Sequence, residues 1–317
     1  MIELKVEKDF ETYSQFLADP KATVFHSVEW LKFASESFPG SSLEVFTFLK
    51  DGKPMSVIPS LRRKVGPFRF SYSLPWGTYG SPLFLEPAGA DDLWAMLSLL
   101  GTANTHRVYL VDFWNRLPQV PNFVRQELIT HLIELPENYE NLWEKVYDKT
   151  QRETQRQARR RDCAVHRVSS EDELKEFHTL HASLMTRKKA EAFSLDFFKR
   201  LLRELGPSGT ACFYLVRVGG EPASCVVVIA GKEMAVAWIA GGDNKFLWNR
   251  PLNLMYDAVL QDLISRKVRL FNFGASPPEA RGLRSFKESF GGKPYSYFVF
   301  DRKKFWLKPL LALKKRG

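Results

Sequence analysis

Cysteine, histidine and long apolar runs are all scarce in this chain. Its 317 residues hold three Cys and six His. Cys163, Cys212 and Cys225 form no C-x-x-C pair, which argues against a disulfide scaffold or a thiolate metal site and fits a reducing compartment. No Gly-x-Ser-x-Gly or Cys–His–Asn context surrounds them, so covalent nucleophilic catalysis is not expected. His178 and His181 stand three apart but lack the carboxylate of an H-E-x-x-H helix, and no metal site is expected. A Walker loop and a G-x-G-x-x-G are both missing, which removes nucleotide hydrolysis and Rossmann-type cofactor binding. No stretch approaches the run of about 18 apolar residues that a membrane span needs. The opening residues Met1-Ile2-Glu3-Leu4-Lys5-Val6-Glu7-Lys8 interleave charges where a signal peptide needs an apolar segment. A cytoplasmic protein, soluble or peripheral, is expected.

Aromatic side chains and positive charge are abundant instead. Hydrophobic residues make up 44% and aromatics 14%, with 25 Phe, enough for large cores. At about 150 residues per domain the length predicts two domains. The net charge of +10 is uneven: residues 1–150 carry 15 basic and 19 acidic side chains, residues 151–317 carry 31 and 17. Such asymmetry between halves points to an anionic partner for the second half.

The two halves also share a pattern. Val45-Phe46-Thr47-Phe48-Leu49 runs into Gly52-Lys53-Pro54-Met55-Ser56, and 168 residues later Phe213-Tyr214-Leu215-Val216-Arg217 runs into Gly220-Glu221-Pro222-Ala223-Ser224. Both read as strand, tight glycine turn, strand. Phe25 and Trp30 align with Phe193 and Phe198 on apolar-periodic helices, and Val108 to Phe113 echoes Val268 to Phe273. Three matches in the same order argue for two copies of one α+β unit. In the second copy a basic segment at 151–161 precedes helices at 171–187 and 194–205. A hairpin at 211–230 and a strand at 234–239 follow. A helix at 251–265 then leads to a strand at 268–273, a short helix at 281–289 and a last strand at 295–300. The expected class is α+β, a mixed, mostly antiparallel sheet flanked by helices in each copy.

That order resembles the GNAT acyltransferase fold, and the doubled copy resembles the FemAB-type aminoacyl and acyl transferases over essentially the whole chain. The resemblance rests on Phe25-His26-Ser27-Val28-Glu29-Trp30, on the basic segment Thr150 to Arg161, and on Thr186-Arg187-Lys188-Lys189. It rests most on Phe273-Gly274 and on Phe286-Lys287-Glu288-Ser289-Phe290-Gly291-Gly292, the family's FK-x-x-FGG block. The resemblance implies two tandem GNAT-like domains: an acceptor-side domain at 1–147 and a donor-side domain at 148–300 carrying that block. A basic amphipathic tail at 301–317 alternates lysines with bulky apolar residues and suits a membrane interface, or else docks on the first domain. Acyl-CoA-dependent members carry R/Q-x-x-G-x-G/A before the long helix. Here Asn244-Lys245-Phe246-Leu247-Trp248-Asn249-Arg250-Pro251 holds no glycine, which argues against acyl-CoA bound in the usual manner.

Candidate residues follow. Lys287, between two phenylalanines, is expected to stabilise an oxyanion, its alternative being a surface lysine. Asp112, at a strand end, is expected to take the proton of the attacking amine or orient it; its alternative is a turn-starting Asp. Family members carry an acidic residue in the like strand. Trp30, Trp76 and Tyr79 are candidates for the acceptor cleft, Trp30 having a core reading beside it. Arg187, Lys188, Lys189 and Phe286 complete the substrate-binding set. On a helix, Arg152, Arg156, Arg159 and Arg160 share a face that suits phosphates; with Asn249 and Arg250 they form the donor-binding set. Arg161 adds a fifth guanidinium to that basic run.

The function expected from the resemblance is transfer of an aminoacyl or acyl group to an amine of a cell-envelope precursor, by direct attack in a ternary complex. No resident cofactor is expected; the donor is aminoacyl-tRNA or acyl-CoA, and peripheral contact with the inner membrane face is the further partner expectation. The sequence sets no oligomeric state. One alternative is an acyl-CoA-dependent N- or O-acyltransferase on polysaccharide or sugar-nucleotide precursors. Another is a non-catalytic protein binding RNA or anionic lipid.

Overall fold

The computed structural model describes residues 1–304 apart from 9, 39, 75, 103 and 104. In chain order the elements are β1 (Ile2–Glu7), α1 (Val28–Ser37), β2 (Ser41–Lys50), β3 (Lys53–Val65), β4 (Phe68–Tyr72), β5 (Leu83–Phe84), α2 (Ala90–Thr102), β6 (Arg107–Asp112) and β7 (Val124–Glu134). Then follow α3 (Tyr139–Asn141), α4 (Lys149–Arg159), β8 (Cys163–Arg167), α5 (Glu171–Arg187), α6 (Leu195–Leu205), β9 (Ala211–Val218), β10 (Glu221–Ala230) and β11 (Met234–Gly242). A 3-10 turn (Asn244–Asn249) leads to α7 (Pro251–Ser265), β12 (Leu270–Ala275), α8 (Arg281–Ser289) and β13 (Lys293–Lys303). The mixed, mostly antiparallel α+β class expected from the sequence is what forms. Among the described residues no helix is long and apolar enough to cross a membrane. Most of the basic tail, from residue 305 on, lies outside the described residues.

The chain forms two compact units: Met1–Leu128 together with the chain from Ser296, and Ile129–Tyr295. These bounds differ from the sequence division at 147/148, and strand pairing is the reason. β7 follows β6 in the chain, yet Thr130 to Glu134 pair with β12 of the second unit. β13 follows α8, yet Phe298 to Lys303 pair with β6 of the first. The final strand of each sequence copy is therefore counted in the other unit.

Within the first unit β1, β2, β3 and β4 pair antiparallel in that order, and β4 runs parallel to β6. Phe46, Phe48 and Ile58 on the hairpin, Met96, Leu97 and Leu100 on α2, and Phe300 on β13 form its core. In the second unit β8, β9, β10 and β11 are antiparallel and β11 runs parallel to β12. Strand side chains alternate faces. Cys212, Tyr214 and Val216 therefore pack toward Met255, Val259 and Leu263 of α7. On the other face Phe213 meets Phe177 of α5 and, at longer range, Phe198 of α6. Burial on both faces explains why Cys225 to Ile229 read as an unbroken apolar run.

The duplication extends to backbone detail. Both hairpins turn on two residues with positive φ, Asp51 and Gly52 (51° and 78°) and Gly219 and Gly220 (56° and 84°), the left-handed pair of a type I′ turn. Each hairpin then skips one residue: Phe48 faces Ser56 and Leu49 faces Pro54, as Val216 faces Ser224 and Arg217 faces Pro222. The skipped residues, Met55 and Ala223, hold the same place in the repeated Gly-x-Pro-x-Ser pattern.

Candidate active site

In the second unit β11 and β12 pair over only three residues, Met234–Val236 with Leu270–Asn272. Beyond them a cleft of about 290 Å³ opens, lined by Ala240 to Asp243 at the end of β11 and by Pro251, Leu252 and Asn253 in the first turn of α7. Leu184 and Arg187 at the end of α5, Ala223 and Ser224 of β10, and Asn244, Leu247, Arg250 and Phe286 complete the wall. Gly241 lets α5 come this close: a Cβ there would lie 2.6 Å from the backbone nitrogen of His181, 2.7 Å from the Leu180 carbonyl carbon and 2.8 Å from Cys225 Sγ. Arg187 then ties α5 to β11, its guanidinium donating to the Gly242 carbonyl at 2.5 Å and to Ser183 Oγ at 2.8 Å. Pro251 opens α7 as its ring geometry favours, and Arg250 before it adopts φ 61°, turning the chain into the helix. The first turn of α7, with the positive end of its dipole, and the residues Arg187 and Arg250 all border the cleft.

Lys287 is neither at the surface nor held by its flanking aromatics. It is 3% exposed, and its ammonium donates to the carbonyls of Gly274 (2.7 Å) and Ala275 (2.6 Å) and to Ser276 Oγ (3.0 Å). All three hydrogens are committed inside the protein, so an oxyanion would have to displace one of these acceptors. Burial first, and the nearby Lys188 charge second, pull its pKa down from 10.5 to about 8. The chain of bonds continues outward. Ser276 Oγ lies 2.7 Å from His131 Nδ1, and His131 Nε2 faces Glu288 Oε1 at 3.3 Å. Burial lowers the pKa of His131 below its ordinary value, against the opposing pull of Glu288. No local motif marks His131 or Ser276; their pairing exists only because β7 lies beside β12.

The arginine face is spent differently from a phosphate site. Arg152 donates to the carbonyls of Trp143, Glu144 and Tyr147, capping the preceding helical turn. Arg159 bonds buried Asp257 at 2.9 Å and Tyr139 Oη at 3.0 Å, and Tyr147 donates to the same carboxylate at 3.1 Å. Arg156 stands 5.8 Å from the Trp143 ring centroid and 3.6 Å from Glu153. Asn249 donates to the Arg161 carbonyl at 3.3 Å rather than into the cleft. Of the donor-binding set only Arg250 lines the cleft; of the substrate-binding set Arg187 and Phe286 do. Lys188 and Lys189 follow at the exposed end of α5. Asp257 is the residue sequence reasoning missed, and Tyr139, Trp143 and Tyr147 at four-residue spacing were its available signal.

The remaining candidates belong to the first unit. Trp30 and Tyr79 are core residues, not cleft walls: Trp30 is 2% exposed and Tyr79 3%, and both pack edge-on against Phe25. Tyr79 also stacks on Phe113 at 4.2 Å between ring centres. Trp76 is exposed and stacks on Phe38. Asp112 is wholly buried, and its two oxygens accept the backbone N–H groups of Arg116 (3.1 Å) and Leu117 (2.9 Å). It closes the turn after β6. Burial raises its pKa, and both of its oxygens already hold backbone amides.

Residues 145–288 match the family model of the GNAT acetyltransferase domain. No curated protein matches the chain. Among solved structures, FemX is similar at 14% identity and a TM-score of 0.68, covering 98% of this chain and 99% of that one. The C-terminal domain of a putative lysylphosphatidylglycerol synthetase from Agrobacterium fabrum aligns at 12% identity and TM-score 0.60, covering 96% of each chain. A tandem GNAT protein from the clavulanic acid biosynthesis pathway aligns at 12% and 0.60, covering 96% of this chain and 98% of that one. At such identities the likeness is one of fold, and it runs nearly end to end.

Proposed function

We propose that this chain, with a GNAT acetyltransferase domain match over residues 145–288 and a fold similar to that of FemX, is a transferase that moves an aminoacyl or acyl group from a large anionic donor to an amine of a cell-envelope precursor. The observation that supports this reading is the cleft where β11 leaves β12, with the α7 N-terminus, Arg187 and Arg250 at its border. A donor phosphate meets the helix end and the guanidiniums, and the carbonyl to be attacked lies along the free edge of β11. The acceptor amine attacks that carbonyl directly. A C–N bond forms, the bond to the donor's oxygen or sulfur breaks, and the amine proton leaves with solvent or the departing group. No covalent enzyme intermediate is required. The thiols fit that economy, since Cys225 is wholly buried and burial pushes its pKa well up. Positioning and electrostatics supply the acceleration. A cytoplasmic site of action at the inner membrane face belongs to the same proposal, as does an acceptor exposed there.

Acyl-CoA and aminoacyl-tRNA compete for the donor role, and the absence of glycine from residues 244–251 favours the second. Thermal unfolding with each donor separates them, because a ligand that binds only the folded state raises the midpoint by mass action. The expected result is a concentration-dependent rise with aminoacyl-tRNA. A rise with acyl-CoA alone selects the N- or O-acyltransferase alternative on polysaccharide or sugar-nucleotide precursors. Flat midpoints with both overturn the donor cleft.

A further inference from the structure

The 3-10 turn at 244–249 presents three faces, because three residues complete one of its turns. Asn244, Leu247 and Arg250 repeat at that interval, and all three line the cleft. Phe246 points inward, packed on Val218 and Ala223. Trp248 occupies the next face round from the cleft wall and is 73% exposed.

This exposure does not come from a loose segment. Asp243 caps the turn by accepting the Lys245 amide at 3.0 Å, Cys163 Sγ donates to the Asn249 carbonyl at 3.3 Å, and Asn249 Nδ2 donates to the Arg161 carbonyl at 3.3 Å. Arg161 donates to the Trp248 carbonyl and sets its guanidinium 4.2 Å from the indole centroid. One face of the indole is thus backed by a cation while most of the ring stays open to solvent. Arg160, the residue before Arg161 in the chain, is exposed, and Lys245 on the same turn as Trp248 pairs with Glu221 at 2.6 Å.

A large aromatic ring held rigid, cation-backed and open at the lip of a cleft fits a flat, electron-rich ring with phosphates attached. We infer that Trp248, backed by Arg161, is a stacking platform for the nucleobase of the donor, which rests on the donor-cleft reading above. Aminoacyl-tRNA and acyl-CoA both carry an adenosine: in the first the acyl ester sits on that adenosine's own ribose, in the second it lies at the far end of the pantetheine arm. The base lies on the indole, its phosphates face Arg160, Arg161 and Arg250, and the acyl-bearing end runs along the Leu247 face into the cleft. Stacking fixes the adenosine base while the acyl carbonyl stays free to meet the acceptor.

The test uses the full chain and adenosine 3′,5′-bisphosphate as probe, with ribose 5-phosphate as the base-free control, both by isothermal titration. Wild type is expected to bind the bisphosphate more tightly than the control. Trp248→Ala should weaken the bisphosphate by about 10-fold or more, the usual scale of one base–aromatic stack. Trp248→Phe should stay within about 3-fold of wild type, and the control should not distinguish the three proteins. Equal bisphosphate affinity in wild type and Trp248→Ala overturns the inference, as does no binding to wild type. Loss of binding to phosphatidylglycerol vesicles in Trp248→Ala, with nucleotide affinity unchanged, overturns it in favour of a membrane-facing role. Thermal stabilisation of Trp248→Ala by saturating aminoacyl-tRNA or acyl-CoA keeps the donor cleft standing even where the platform fails. Because Trp248 is so exposed, both variants should unfold at the wild-type midpoint, which confirms that folded proteins are being compared.

Discussion

Lys287 Nζ donates to Ser276 Oγ at 3.0 Å, and the same hydroxyl reaches His131 Nδ1 at 2.7 Å. The lysine of the FK-x-x-FGG block is therefore a buried clamp that joins α8 to the end of β12. Replacing it by Met strands two carbonyls and a hydroxyl without a donor. Unsatisfied buried acceptors cost about 1–3 kcal/mol each, less whatever the desolvated charge had cost. Lys287→Met is expected to lose about 2 kcal/mol of stability in urea unfolding. A variant as stable as wild type would return this lysine to a purely catalytic role.

The same residue makes stability depend on alkaline pH. Burial lowers Lys287 to about 8 from an ordinary 10.5, against three acceptors that favour the ammonium. Between those values the unfolded chain holds a proton that the native protein releases, so stability contributed here rises with pH. The wild-type advantage over Lys287→Met should grow between pH 8 and 10, by at most about 1.4 kcal/mol per pH unit. A flat difference across that range would mean that the three acceptors outweigh burial.

His26 sets the acid side for the first unit. It is fully buried, accepts the Thr23 amide on Nδ1 at 3.0 Å and donates from Nε2 to the Ser81 carbonyl at 3.0 Å. Burial lowers its pKa from 6.5 to about 4. Below pH 6.5 the unfolded chain takes up a proton that the native protein refuses, and stability falls as pH falls. Between pH 6.5 and 4 the loss from this residue is expected to approach about 3 kcal/mol. His26→Gln, measured by denaturant unfolding across that range, should have the shallower acid slope.

Asp112→Asn separates a turn cap from a base. The carboxylate holds two backbone amides, and an amide oxygen in its place accepts while its NH₂ group opposes the second donor. A loss of about 1–2 kcal/mol in thermal or urea unfolding is expected, because a buried donor is left unmatched. Unchanged stability would undo the capping assignment.

Gly241→Ala tests the close approach that shapes the cleft. The added methyl meets the His181 backbone at 2.6 Å, and backbone cannot swing aside as a side-chain end can. α5 is expected to move off β11, costing about 1–3 kcal/mol of stability and carrying Arg187 away from the Gly242 carbonyl. Donor-induced thermal stabilisation should fall with it. Full stabilisation in this variant would show that the α5 wall does not contact the donor.

How far the sequence could be read follows the range of the interactions involved. Local pattern carried the secondary structure: the predicted helix at 171–187 forms over those residues as α5, opened by the Ser170–Glu173 capping box, and the helix expected at Pro251 starts there. The repeated Gly-x-Pro-x-Ser marked two copies of one unit because a type I′ turn and its adjoining skip are specified by neighbouring residues. Residue types named the polar and aromatic candidates but not their surroundings. Lys287, Asp112, Arg152 and Arg159 looked available on a linear chain, and each found partners brought near by folding. Tyr79 read as a cleft aromatic until packing closed over it, and of the core and cleft readings open to Trp30 the core one is what forms. The pairing of β7 with β12 and of β13 with β6 joins segments more than 100 residues apart, and no local preference encodes such a choice. What the sequence determined by itself was the set of elements and their duplication. Which polar groups are buried, which strand completes which sheet, and where the cleft opens were decided by tertiary structure, because burial and hydrogen bonding depend on partners that only the folded chain brings together.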